Sequence, residues 1–185
     1  MARYGMNPAR KQNSSYKPSR VTAAVVTFIP SLEGYFQHRL EVLKVCLASL
    51  RQTLHSSYDI AVLNNGSCQE VNEYLKALLD SARIDYLLHS RRNLGVIGAF
   101  KILFSAVPGE VIAYCDDDVL YYPGWIDKHL EIIDTYPDVG MVSGAPVGYS
   151  SEHAFQSVND FQENNHEDLQ VSKIDRIPEW ERDWA

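Results

Sequence analysis

Cysteine is scarce in this sequence of 185 residues: Cys46, Cys68 and Cys115 stand far apart. They form neither a C-x-x-C pair nor an even disulfide framework, which favours a reducing, cytosolic setting. Long apolar runs are also missing, since nothing approaches the roughly 18 to 20 uninterrupted apolar residues of a membrane span. The basic residues near the N-terminus precede no apolar stretch, so no secretory signal is expected. His38, His55, His89, His129, His153 and His166 lack H-x-x-x-H or H-E-x-x-H spacing and read as surface or structural residues. Internal repeats and low-complexity tracts are absent. A net charge of −7 with no long basic stripe argues against a dedicated nucleic-acid binder.

What is present is a composition of 45% hydrophobic and 22% charged residues, that of an ordinary globular chain with a sizeable core. Residues 1–20 carry Arg3, Arg10, Lys11, Lys17 and Arg20 and no acid, and read as a polar, basic, disordered leader able at most to touch anionic lipid. Residues 21–150 are patterned as one domain. Residues 151–185 form an acidic polar segment, expected to be part of an incomplete acceptor region.

The patterned body alternates strand and helix signals. Val21–Phe28 is a β-branched apolar run and predicts a first strand. Leu40, Leu43, Leu47, Leu50 and Leu54 recur at helical spacing. Ile60–Leu63 is a short buried run that ends in the turn Asn64-Asn65-Gly66. Ser67 and Glu70 have capping-box spacing ahead of a helical face of Val71, Tyr74, Leu75, Leu78, Leu79 and Ala82. Ile84–Leu88 predicts a third strand, and Val96, Phe100, Leu103, Phe104 and Val107 a helix stopped by Pro108-Gly109. Val111–Cys115, apolar at nearly every position, predicts a strand buried on both faces. A helix is expected from Pro123, with Ile126, Leu130 and Ile133 on one face and Trp125 in the core. Val139–Val147 predicts a fifth strand. This βαβα order implies a three-layer α/β/α domain with a mostly parallel sheet, which binds ligands at the carboxyl ends of its strands.

Few residues at those ends carry chemistry. Asp116, Asp117 and Asp118 repel one another unless a cation, raised pKa values or full exposure relieves them. In extended backbone Asp116 and Asp118 share a side, a pairing suited to one hard cation such as Mn²⁺ or Mg²⁺. The alternative is a solvated acidic turn. Arg91 and Arg92 precede Asn93-Leu94-Gly95-Val96-Ile97-Gly98 at a helix start, which suits an anion such as a diphosphate or, alternatively, a plain solvated turn. Asn64 reads either as a hydrogen-bonding contact to a base or sugar edge or as a turn former.

In order and approximate spacing, VTAAVVTF, CLASLRQT, AVLNNGS, RRNLGVIGAF and YCDDDVLYYPGW resemble the family 2 glycosyltransferases of the GT-A fold, a Rossmann-like nucleotide-sugar-binding architecture, over about residues 21–147. The resemblance implies transfer of a sugar from a nucleotide-diphosphate-sugar donor to an acceptor hydroxyl on a glycan or lipid-linked molecule. Thr27 and Phe28 would lie against the nucleotide. Asn64 stands where the family usually has an Asp that contacts the base. Asn93, Gly95 and Gly98 match a segment near the donor. Asp116 and Asp118 match the DXD motif, with Asp116 toward the ribose and the metal and Asp118 on the metal, and Arg92 assists at the diphosphate. Glu179, Glu181 and Asp183 are the only late acids in a patterned stretch, and none is assigned as the catalytic base. The expected setting is cytoplasmic, at the membrane surface, with no nucleic-acid partner. Two other readings compete: a non-catalytic nucleotide-sugar-binding module and a nucleotidyltransferase, although Phe28–Gly34 lacks the basic Gly-rich loop the latter wants.

Overall fold

A computed structural model of the chain describes residues 17–54 and 58–144. The expectations for residues 1–16 and 145–185, including most of the basic leader, the acidic segment and its late carboxylates, lie outside the described residues. The chain divides into two compact units, one ending at Pro123 and one beginning at Gly124.

The first unit holds four parallel strands, β1 (Val21–Thr27), β2 (Asp59–Asn65), β3 (Tyr86–Ser90) and β4 (Val111–Cys115), in the order β3-β2-β1-β4. Three helices connect them: α1 (Arg39–Thr53), α2 (Gln69–Asp80) and α3 (Gly95–Ala106). The chain steps outward from β1 to β3 and then crosses back to the far side of β1. Right-handed crossovers therefore put α1 and α2 on one face and α3 on the other. Strand alternation fits this. Ala24, Ala61 and Leu63 pack with Ala99 and Leu103 of α3, where three alanines let helix and sheet approach closely. The opposite face carries Ala23, Val25, Ile60 and Val62, all buried, toward the stripes Leu43, Leu47 and Leu50 of α1 and Val71, Leu75 and Leu78 of α2. The expected α/β/α architecture is present.

Several local expectations are corrected. β3 starts two residues later than its apolar run suggests. Ser67 does not cap α2: Cys68 is the N-cap residue, without a side-chain bond, and the Ser67 hydroxyl accepts the Ile29 N–H at 3.0 Å. β4 is an edge strand among the described residues, and Tyr114 is 42% exposed, so its apolar run reports sheet membership rather than burial on both faces. On α3 the buried side is Ala99 and Leu103, while Val96 and Phe104 are exposed; Phe100 and Phe104 instead pack edge-on against Tyr114. The last two residues of the leader region are tied to the sheet: Val111 N–H donates to the Arg20 carbonyl at 2.9 Å, and the Ser19 hydroxyl donates to Asp59 at 2.8 Å.

In the second unit a turn at Gly124 (φ +83°) delays helix α4 to Asp127–Thr135, beyond the expected start at Pro123. Trp125 is half-buried, and its carbonyl lies 2.9 Å from His129 Nδ1. Residues 139–144 form no strand, and the rest of the expected fifth strand lies outside the described residues.

Candidate functional site

The chain reverses its direction across the sheet between β1 and β4, and in such sheets this switch point opens a crevice at the carboxyl edge. Strand register brings the expected residues to that edge. Thr27 pairs with Asn64, Asn64 with His89, and Val25 with Cys115, so the acidic triplet begins one residue past the last β4 pair.

The triplet does not continue the strand. β4 ends at Cys115, and Asp117 and Asp118 lie in a turn, so the alternation expected of an extended chain gives way to another arrangement. Asp117 turns inward: Thr27 Oγ1 donates to its Oδ2 at 2.7 Å, and Arg39 Nη2 lies 2.6 Å from its Oδ1. The other guanidinium nitrogen, Nη1, bonds Asp118 Oδ2 at 3.0 Å. Burial lowers the Arg39 pKa, but Asp117 and Asp118 outweigh it and raise the value, so the guanidinium stays charged. Asp117 is 13% exposed with both oxygens engaged, and Asp118 is 52% exposed. Asp116 is exposed. Burial, and after it the neighbouring Asp116 carboxylate, push the Tyr114 pKa up.

Helix α1 holds the rest of this loop. Cys46 Sγ–H donates to the Asp116 carbonyl at 3.4 Å, and the Tyr121 hydroxyl donates to the same oxygen at 3.1 Å. Tyr121 N–H donates to Ser49 Oγ at 3.1 Å, while the Ser49 hydroxyl donates to the Cys46 carbonyl at 2.8 Å. Burial pushes the Cys46 and Cys115 thiols up to about 12, so both are protonated packing groups rather than nucleophiles.

A second cluster is built from asparagines. Asn64 is buried; its side-chain carbonyl accepts Ser67 N–H at 3.0 Å and its amide donates to Asn72. The structure thus uses Asn64 as the organiser of its turn. Asn65, also buried, donates to Asn93 Oδ1 at 3.0 Å and accepts Leu94 N–H at 2.9 Å, and Asn93 Oδ1 also accepts Gly95 N–H at 2.8 Å. Two of the first amides of α3 are therefore taken by side chains, leaving those of Val96 and Ile97 as its open N-terminal donors. Gly66 (φ +87°) allows the closeness: a Cβ there would stand 2.6 Å from the Arg92 carbonyl carbon. Gly95 (φ +70°) starts the helix, and a Cβ on Gly98 would press on Leu94 at 3.1 Å. Arg91 and Arg92 are exposed and border an open groove of about 600 Å³ floored by Leu63, Leu88 and Leu94. Phe28 is half-buried, and the neighbouring Ile29 is tied to the β2 turn, its carbonyl accepting Cys68 N–H at 2.8 Å.

The structure thus gathers Thr27 with the acidic triplet and, separately, Asn64 and Asn93 with the β2 turn. It adds Arg39, Ser49, Asn65 and Tyr121, which the motifs did not single out. Arg39 had a signal: a cation in the first turn of a helix opposes the macrodipole and calls for a partner. No group of three or more His, Cys, Asp or Glu side chains arranged to hold a metal occurs among the described residues. Nor is any described helix long and apolar enough to cross a membrane.

Comparison with known proteins agrees with this architecture. An uncharacterized glycosyltransferase of Nostoc sp. (strain PCC 7120) is 30% identical over 93 residues, half of this chain and 29% of that protein. An uncharacterized glycosyltransferase of Rickettsia bellii is 27% identical over 85 residues, 46% of this chain and 12% of that protein. The chain thus matches less than a third of the length of either relative. The crystal structure of S. aureus TarS 1-349 in complex with UDP superposes with a TM-score of 0.50 at 13% identity, covering 62% of this chain and 32% of that one, and shows a shared fold. The model of the Glycosyl transferase family 2 matches residues 35–178, most of the chain, and with the switch-point sheet just described it makes this chain a member of that family.

Proposed function

We propose that this chain binds a nucleoside-diphosphate sugar at the carboxyl edge of its sheet and transfers the sugar to an acceptor hydroxyl, on a glycan or a lipid-linked molecule, with a divalent cation at Asp116 and Asp118. The observation that carries this reading is a charge imbalance at the switch point. Among the described residues the three adjacent carboxylates have one ion-pair partner, Arg39, which meets Asp117 and Asp118, so two negative charges remain for a ligand to balance. The donor set fits a hard ion such as Mn²⁺ or Mg²⁺, because Asp116 and Asp118 are exposed carboxylates while Asp117 has no oxygen to spare. When bound, such an ion supplies Lewis-acid stabilisation of the charge that develops on a departing diphosphate.

The chain's own groups do the rest. Thr27 and Arg39 fix Asp117 and so set the path of the loop that carries its two neighbours. Arg92 and the open amides of Val96 and Ile97 are anion donors for the phosphates. Thr27 and Phe28 border the nucleotide, and Asn64, Asn93, Gly95 and Gly98 shape the loop beside it. UDP in the TarS complex, within the same fold, supports a nucleotide as the ligand class. The three unpaired cysteines support a reducing, cytoplasmic setting.

Donor hydrolysis without added acceptor tests the reading. With Mn²⁺ and a panel of UDP-, GDP- and dTDP-sugars, the chain is expected to release nucleoside diphosphate from at least one. Asp118→Asn is expected to lower that rate about a hundredfold or more. Release of equal speed in the variant, or in excess chelator, would overturn the metal role. Binding without release would favour the non-catalytic module.

A further inference from the structure

Arg39 is the first residue of α1, where the helix dipole disfavours a cation. Its position makes sense only through its partners, and these form two unlike halves. The inner half is closed. Asp117 is 13% exposed, Arg39 holds one of its oxygens at 2.6 Å, and Thr27 holds the other at 2.7 Å. The outer half is open, since Asp118 is 52% exposed and meets Arg39 through one oxygen at 3.0 Å. Half-exposed ion pairs are worth little, whereas a shielded pair with a further hydrogen bond is costly to break.

We propose that Arg39 is the resident counter-ion of the acidic triplet: a divalent cation competes with it for Asp118, while the Arg39–Asp117–Thr27 half stays closed and keeps the loop in place. This rests on the metal reading given above. It makes Arg39 a positioning residue with a measurable cost, because each ion that binds must do so against a guanidinium a few ångströms away. The same fork that orders the loop in the absence of metal weakens the affinity for it. Thr27 is what allows the outer half to open without the loop moving, since it anchors Asp117 independently of Arg39.

Mn²⁺ binding to the full chain, followed by electron paramagnetic resonance without nucleotide, separates the possibilities. Removing the guanidinium charge in Arg39→Gln is expected to tighten Mn²⁺ binding about tenfold, the scale of a unit charge acting on a divalent ion at a few ångströms in a solvated site. Saturating Mn²⁺ should also raise the melting temperature of Arg39→Gln more than that of the wild type. Equal or weaker binding by the variant would overturn the inference and leave the metal reading intact. Binding by the variant alone would uphold the inference and remove the metal from the wild-type reaction. Silence in both would sink the two together. Should Arg39→Gln not fold, Mg²⁺ titration of the wild type gives the answer, with the Arg39 Nε–H resonance identified by its loss in Arg39→Lys. That signal is expected to shift along with Mg²⁺ occupancy; a signal that stays fixed while Mg²⁺ binds would overturn the proposal.

Discussion

Thr27 shows how one side chain can serve both fold and site. It is the last residue of β1, 1% exposed, and spends its hydroxyl on a carboxylate 90 positions away. Thr27→Val keeps the shape and removes that bond, and is expected to cost roughly 1.5–3 kcal/mol of stability in denaturant unfolding, the range for a hydrogen bond to a charged group. A loss below about 0.5 kcal/mol would mean the bond is not formed in solution. Cysteine reactivity is a second residue-scale test. With the Cys46 and Cys115 thiols near 12 and both side chains buried, their thiolate fraction at pH 8 is on the order of 10⁻⁴. Cys68, which is only half-buried, is expected to be the single cysteine alkylated by iodoacetamide in the native protein, as read by mass spectrometry. Rapid modification of Cys46 would show that α1 does not hold the acidic loop as described.

At the scale of elements, the contact between the turn after β2 and the loop before α3 decides where the anion donors stand. Gly66 serves it twice, through its positive φ and through an approach that leaves no room for a methyl group against Arg92 and Asn93. Gly66→Ala is expected to cost about 2–4 kcal/mol, combining left-handed strain with overpacking. Asn65→Ala, which strands the Leu94 amide, is expected to cost about 1–3 kcal/mol. Thermal or denaturant unfolding checks both, and a neutral Gly66→Ala would contradict the packed turn. These elements differ in how far they can be read from the chain alone. Leu43, Leu47 and Leu50 mark α1 because an apolar stripe at helical spacing is a local property. The place of β4 in the sheet is not local: VIAYC looks like a central strand, and only the sheet order makes it an edge among the described residues. The Asn-Asn-Gly turn was legible as a turn, but the division of labour between Asn64 and Asn65 was not, because it depends on Asn72 and Asn93 arriving from elsewhere.

For the whole molecule, the pattern of alternating elements gave the α/β/α architecture, and the position of the acidic triplet at a strand end pointed to the sheet edge where the site is proposed. What sequence could not supply was the charge balance there. Asp117 and Asp118 are answered by a residue 78 and 79 positions earlier, and an extended-chain picture of the triplet had no place for Arg39. With one of its three negative charges answered by Arg39, the acidic triplet at the switch point is proposed to take a nucleoside diphosphate and a divalent cation together. Calorimetric titration of the chain with UDP, GDP and dTDP, each with and without Mn²⁺, tests this proposal most directly. At least one nucleotide is expected to bind only when Mn²⁺ is present, and Asp118→Asn is expected to abolish the effect. Nucleotide binding of equal strength in chelator and in the variant, or none under any condition, would contradict the proposal.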